Sequence, residues 1–266
     1  ANDFSSILAT GTTVTLVDVN AIDLATTTAT VAYSVTAGGD ITDSGVITAA
    51  GITSILNAGA NAITLDQSSD FGTLDVNGTV TTLAVTDANA IDIAAVTTSG
   101  TLGITAGGAI TDSGTIVAGG ATTITNAGNT VVLDDAANNF TSVAATGTTV
   151  TLVDTNAIEL ATTTATVAYN VTAGGAITDS GVITAGGITS TLDAGANAIT
   201  LDQASDFGTL DVNGAVTTLA VTDANAIDIA AVTTTGILGI TAGGAITDSG
   251  TIVAGAATTI SNAGNT

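Results

Sequence analysis

Apolar and polar residues alternate with a period of two along most of this chain. Val80-Thr81-Thr82-Leu83-Ala84-Val85-Thr86 and Thr122-Thr123-Ile124-Thr125 show the pattern. It is that of a strand with one buried face, and the β-branched residues suit a pleated surface. No long stretch has helical spacing. Small-residue corners such as Ala37-Gly38-Gly39 and Ala106-Gly107-Gly108 break the alternation, and an apolar residue returns after each corner. These returns fall at Ile22, Ile41, Ile63, Ile91, Ile110, Val131, Ile158, Ile177, Ile199, Ile227 and Ile246, in steps of 19, 22, 28, 19, 21, 27, 19, 22, 28 and 19. Steps of 19 to 22 residues suit one coil of three short strands, so the predicted fold is all-β, a parallel β-helix or β-solenoid. The 27- and 28-residue steps predict the same coil carrying a surface insertion. Its place is the stretch that starts at Gln67-Ser68-Ser69-Asp70-Phe71 and runs through the Asn77-Gly78 turn signal.

The coils sit inside a longer repeat. Residues 1–130 align without a gap to 137–266, an offset of 136, and 17 of the 130 pairs differ. Within each 136, Asn20-Ala21-Ile22-Asp23 returns at Asn89 and Ile41-Thr42-Asp43-Ser44-Gly45 at Ile110, an offset of 69. The organisation read from this is a first solenoid repeat at 1–136 (halves about 1–69 and 70–136) and a near-identical second at 137–266. About three coils fill each half, in one continuous solenoid expected to belong to a longer array. Twelve or so coils at ~4.8 Å would make a rod of about 55–60 Å. The differences between copies fit the alternation. Val14, Leu16, Ile22, Ile91, Ile104 and Ile110 are predicted to point inward and are unchanged in the second copy. Val19, Asp23, Ser34, Ile55, Asn57 and Ser68 all change, and several of them are predicted outward or in loops. A slip of one residue would turn the apolar set outward, so the pattern fixes register.

Composition narrows the function. Hydrophobic residues are 45% of the chain but aromatics only 2%, so the core must be thin and made of small aliphatics. Lys, Arg and His are absent and the net charge is -23, with Glu159 the single Glu. Without cations to neutralise phosphates, nucleic-acid binding is excluded as a class, and an anionic membrane surface is disfavoured. Divalent cations are the partners such a surface attracts, Ca²⁺ above all, because carboxylates and carbonyls are hard oxygen ligands. There is no Cys or Met to oxidise and no Lys or Arg for a trypsin-like protease. These features fit a durable exported protein. Ala1 to Ser5 carry no basic region followed by an apolar run, and no apolar stretch approaches ~18 residues, so membrane insertion is not expected.

The segment Ile104-Thr105-Ala106-Gly107-Gly108-Ala109-Ile110-Thr111-Asp112-Ser113-Gly114-Thr115-Ile116 resembles the repeats of filamentous-haemagglutinin-type exoproteins, which fill giant bacterial surface proteins. The resemblance implies a right-handed parallel β-helix, export to the cell surface, and a role in adhesion, biofilm or fibres. It implies no catalytic residue.

Asp18/Asp23 and Asp87/Asp92 flank the same Asn-Ala-Ile turn, with copies at Asp154/Glu159 and Asp223/Asp228. As paired carboxylates they could serve acid–base chemistry, but a site that occurs four times is a structural turn before it is an active site. Weak Ca²⁺ binding at these eight residues is the one metal candidate; there is no EF-hand loop. The Asp-Ser-Gly triplets at Asp43, Asp112, Asp179 and Asp248 lack any His or Lys to activate a serine, and read as turns. Asn20, Asn61, Asn89, Asn129, Asn156, Asn197 and Asn225 recur at a corner, as an amide ladder or as turn formers. Phe4, Phe71, Phe140 and Phe207 occur once per half-repeat, as plugs at the insertion or as a glycan-stacking platform, and Tyr33 and Tyr169 are read alike. Sequons at Asn77, Asn139 and Asn170 are broken in the other copy, so glycosylation is not periodic.

The function expected is a non-catalytic structural segment: a stiff acidic spacer, stalk or extracellular filament that requires no cofactor and self-associates into bundles or fibres. The alternative is an adhesin segment that binds glycans or a protein partner through the inserted loops with the help of Ca²⁺.

Overall fold

The computed structural model describes residues 2–126 and 128–262. Among them every regular element is a β-strand and none is a helix. Residues 1–140 and 141–266 form two compact units. Each is a β-solenoid of parallel strands in which one coil lies on the next.

In the first unit one column of aligned residues runs Ile22, Ile41, Ile63, Leu83, Leu102, Thr122. A second runs Val14, Tyr33, Ser54, Leu74, Ile93, Asp112. Steps along both are 19 to 22 residues throughout. The second unit repeats this with Ile158, Ile177, Ile199, Leu219, Leu238, Thr258 and with Val150, Tyr169, Ser190, Leu210, Ile229, Asp248.

These columns correct one expectation. The 28-residue step from Ile63 to Ile91 is not an insertion. Residues Ile63–Val80 are a single strand that stays in the wall, with Phe71, Leu74 and Val80 fully buried. Ile63 is followed in its own column by Leu83, 20 residues on. Ile91 belongs to the strand Ile91–Thr98, whose Asp92 and Ile93 align with Thr73 and Leu74 in the neighbouring column. A half-repeat is thus not a whole number of coils, and within each unit the second half starts the same sequence motif on a different side from the first. The second unit makes the same move, since Ile199 precedes Leu219 while Leu210 precedes Ile229. The physical reason is that equal sequence does not impose equal position around the axis; pairing with the preceding coil does.

The alternation itself holds. Val14, Leu16, Ile22, Ile91, Ile104 and Ile110 are all buried, and the six positions that change between copies are half-buried or exposed. A narrow core needs large side chains to face small ones, and the columns supply this. Tyr33 lies between Val14 and Ser54, Tyr169 next to Ser190, Phe71 next to Ala49 and Phe207 next to Ala185. Each bulky ring fills space that its small neighbour leaves, which keeps packing dense without wide layers. At the Gly38-Gly39 corner coils approach too closely for any side chain: a Cβ on Gly38 would stand 2.1 Å from the Val19 carbonyl oxygen.

Candidate functional site

The eight acids flanking the Asn-Ala-Ile turn divide into two kinds. Asp18, Asp87, Asp154 and Asp223 end a strand, point inward and are at most 4% exposed. Their carboxylates are occupied by backbone amides. Asp18 accepts from Phe4 N at 2.6 Å and Asn20 N at 2.8 Å; Asp87 from Phe71 N at 2.6 Å and Asn89 N at 2.7 Å. Asp223 accepts from Phe207 N at 2.7 Å and Asn225 N at 2.8 Å, and Asp154 from Asn156 N at 2.7 Å. In Asp18, Asp87 and Asp223 one oxygen closes the turn two residues on, and the other holds a backbone N–H of an adjacent coil.

The second kind faces outward. Asp23 accepts from the hydroxyls of Ser6 and Ser44 at 2.6 Å each. Asp92 accepts from Ser113 at 2.6 Å and Thr111 at 3.3 Å, and Asp228 from Ser249 at 2.5 Å and Thr247 at 3.1 Å. Glu159 is exposed in the strand Ile158–Leu160. The members of each Asp pair therefore have separate partners. Among the described residues no three acidic side chains gather into a group that could hold a metal ion.

Burial raises the Asp87 carboxyl above its usual range, with Asp70 adding to the rise, while the N–H groups of Phe71 and Asn89 offset part of it. Asp223 is raised in the same way, with Asp206 as its neighbour.

The acids with the most unusual surroundings lie in the Asp-Ser-Gly triplets, which the sequence presents as plain turns. Asp43 is pushed up to about 6, chiefly by burial and further by Asp66, against hydrogen bonds from the N–H groups of Asp66 and Gln67. Asp112 and Asp179 are raised too, by burial first and then by Asp134 and Asp202. Asp112 accepts from Asp134 N at 2.8 Å and from Asn138 Nδ2 at 2.6 Å; Asp179 accepts from Asp202 N at 2.8 Å. The signal for them lies in the alternation. In Ile41-Thr42-Asp43 the Asp takes the inward slot, aligned with Leu24 on the preceding coil, just as Asp179 aligns with Leu160. With no Lys, Arg or His anywhere in the chain, backbone amides and polar side chains are the only donors these carboxylates have.

Polar side chains also finish ladder bonds. The N–H of Ile47 donates to Ser69 Oγ at 2.9 Å, that of Ile183 to Ser205 Oγ at 2.9 Å, and that of Ile116 to Asn138 Oδ1 at 2.7 Å. The corner asparagines form no single ladder. Asn61, Asn129 and Asn197 reach with Nδ2 to the carbonyls of Gly38, Gly107 and Gly174 one coil back. Asn20, Asn89, Asn156 and Asn225 instead give their backbone N–H to the buried aspartates.

Phe71, Phe140 and Phe207 are buried, which overturns the glycan-stacking reading for these three, and Phe4 is half-buried. The rings of Tyr33 and Tyr169 are buried as well. Their hydroxyls lie beside Thr27 and Thr163 without a hydrogen bond of normal geometry, and burial raises both phenols. Of the sequon asparagines Asn77 is exposed, while Asn139 and Asn170 are half-buried.

Four consecutive stretches, residues 11–77, 77–146, 147–213 and 213–266, match the family model described as repeats of unknown function (DUF5649). The first and third stretches, like the second and fourth, start 136 residues apart, the offset of the long repeat. No curated protein and no solved structure matches the chain.

Proposed function

We propose that this chain, which belongs to the DUF5649 family of repeats, is a non-catalytic structural segment, a stiff acidic spacer or filament section of a large exported protein. The observation that carries this reading is that the two halves of a unit start the repeat on different sides of the coil. Equivalent residues, such as Ile22 and Ile91 with the acids beside them, face different directions in successive half-repeats of a unit. A binding surface gains from repetition when its copies face the same partner, because the second contact is then nearly intramolecular. Copies turned away from one another lose that gain but still build a wall with backbone groups paired from coil to coil. Thr, Asn, Asp and Gly recur among the outward positions, which suits hydration.

Export and an extracellular or cell-surface position are part of the proposal. Support comes from the lack of Cys, Met, Lys and Arg and from the charge of -23. Divalent cations, Ca²⁺ among them, act here as diffuse screening partners, and chains associate laterally when that charge is screened. The adhesin alternative, with glycan or protein partners, loses the inserted loops it relied on and would need the strand faces.

Force or electron-microscopic imaging of the full chain and of tandem copies tests the reading. Contour length should grow in proportion to repeat number, with little bending. Saturable binding to glycan arrays or host surfaces that rises steeply with repeat number would favour the adhesin instead. Thermal midpoints in Ca²⁺ and in NaCl at matched ionic strength separate screening from sites: equal curves fit screening, and a saturable Ca²⁺ gain would point to the outward acids.

A further inference from the structure

We infer that Asn77 and Asn213 are sites of spontaneous deamidation, the main chemical ageing points of this chain. They are the two positions in the whole sequence where Asn precedes Gly. Both asparagines and both following glycines are exposed, and Gly78 and Gly214 have φ of 88° and 77°.

The local geometry leaves the Asn77 amide free to react. Asp75 aligns with Ala95 and Thr79 with Thr97, so Val76, Asn77 and Gly78 stand opposite the single residue Val96. The register with the following coil shifts there, and Asn77 and Gly78 have no aligned partner on that coil. Nothing lies within 4 Å of where a Gly78 Cβ would stand, and at Gly214 the nearest atom is 3.7 Å away. The space around each glycine is thus open to the approach of the Asn side chain.

The step needs only water. The Gly78 amide nitrogen attacks Cγ of Asn77, a C–N bond forms, and the Cγ–Nδ2 bond breaks. The displaced nitrogen takes up the proton lost by the attacking amide and leaves as ammonia. Water then opens the cyclic imide at either carbonyl, which gives aspartate or isoaspartate. Each event adds a carboxylate to a chain with no cation to pair it. The consequence differs between copies. Asn213 aligns with Asp193 on the preceding coil, where the first copy has Asn57, so deamidation at 213 sets two carboxylates side by side. Like charges directly opposite destabilise paired strands.

The test incubates the full chain, folded, in mildly alkaline buffer. Isoaspartate is read by enzymatic methylation and located by fragmentation mass spectrometry. Conversion at Asn77 and Asn213 should be roughly tenfold faster than at Asn61 and Asn197, which precede Ala, because Gly carries no Cβ to block the attack. Asn77→Gln and Asn213→Gln should each remove their own signal with unchanged circular dichroism. Asn213→Asp should lower the thermal midpoint more than Asn77→Asp, and the gap should close in high salt. Rates no faster than the Asn-Ala controls, or conversion that begins only after unfolding in urea, would overturn the assignment.

Discussion

The backbone N–H of Phe71 donates to Oδ2 of Asp87 at 2.6 Å, although the two residues lie 16 apart in sequence. The other oxygen of Asp87 holds the N–H of Asn89. One side chain therefore closes its own corner and pins the neighbouring coil. Phe207 and Asp223 repeat the arrangement at 2.7 Å.

Asp87→Ala leaves two N–H groups without that acceptor. Each buried donor left unsatisfied costs about 1–3 kcal/mol, so the variant should lose about 2–4 kcal/mol in urea unfolding. Asp87→Asn keeps one carbonyl oxygen but turns an NH₂ toward an N–H, and should fall between. A loss below about 0.5 kcal/mol for the Ala variant would mean that water replaces the carboxylate fully.

Much of this molecule is legible in its sequence. Period-two alternation decides which residues face the core, because a side chain on a strand has two directions only. Val14, Ile22 and Ile110 are buried for that reason. The column each motif occupies is not legible. Ile63 and Ile91 carry the same local signal, and only the coil length, set by pairing between distant strands, shows that they lie on different sides. Asp18 and Asp23 look like a pair because they flank one turn. The period-two rule, applied to Asp18 after Leu16 and to Asp43 after Ile41, sends both of those acids inward. Their charge argues for the surface, and pattern wins because backbone amides can hold a buried carboxylate.

Two glycines separate close approach from mere habit. A Cβ on Gly114 would stand 1.4 Å from the carbonyl oxygen of Ala94, whereas on Gly103 the nearest atom is 3.9 Å away. Gly114→Ala must push coils apart and should cost about 3 kcal/mol or more, up to loss of folding. Gly103→Ala should gain about 0.5–1 kcal/mol, since Gly within a strand loses more entropy on folding. Thermal melts of the two variants check this, and a neutral Gly114→Ala would show that the corner yields.

Tyr33 contributes its ring and not its hydroxyl. The ring is buried between Val14 and Ser54, and the oxygen makes no hydrogen bond. Tyr33→Phe keeps the packing and removes a desolvated group, so stability should hold or rise by up to about 1 kcal/mol. Tyr33→Ala opens a cavity and should cost about 3–5 kcal/mol. A clear loss for the Phe variant in chemical denaturation would reveal a partner for the hydroxyl.

Acid should stabilise this protein, against the habit of proteins whose carboxylates are ion-paired. Asp43 is pushed up to about 6, and Asp87, Asp112, Asp179 and Asp223 are raised in the same direction, each by burial first. The carboxylates beside them (Asp66, Asp70, Asp134, Asp202 and Asp206) add to the rise, and no cation in the chain opposes it. A folded-state value above the unfolded one means that the folded chain binds the proton more tightly. The stability gained is full below the ordinary carboxylate value and is lost as pH rises through the folded value. For Asp43 that window runs from about 3.8 to about 6. The thermal midpoint should therefore climb as pH is lowered from 7 toward 4.5, roughly half a unit above the ordinary carboxylate value. Asp43→Asn keeps an oxygen for the N–H groups of Asp66 and Gln67 but cannot ionise. The variant should be the more stable at pH 7 and show a shallower slope, and a midpoint that is flat or falls on acidification would refute the account.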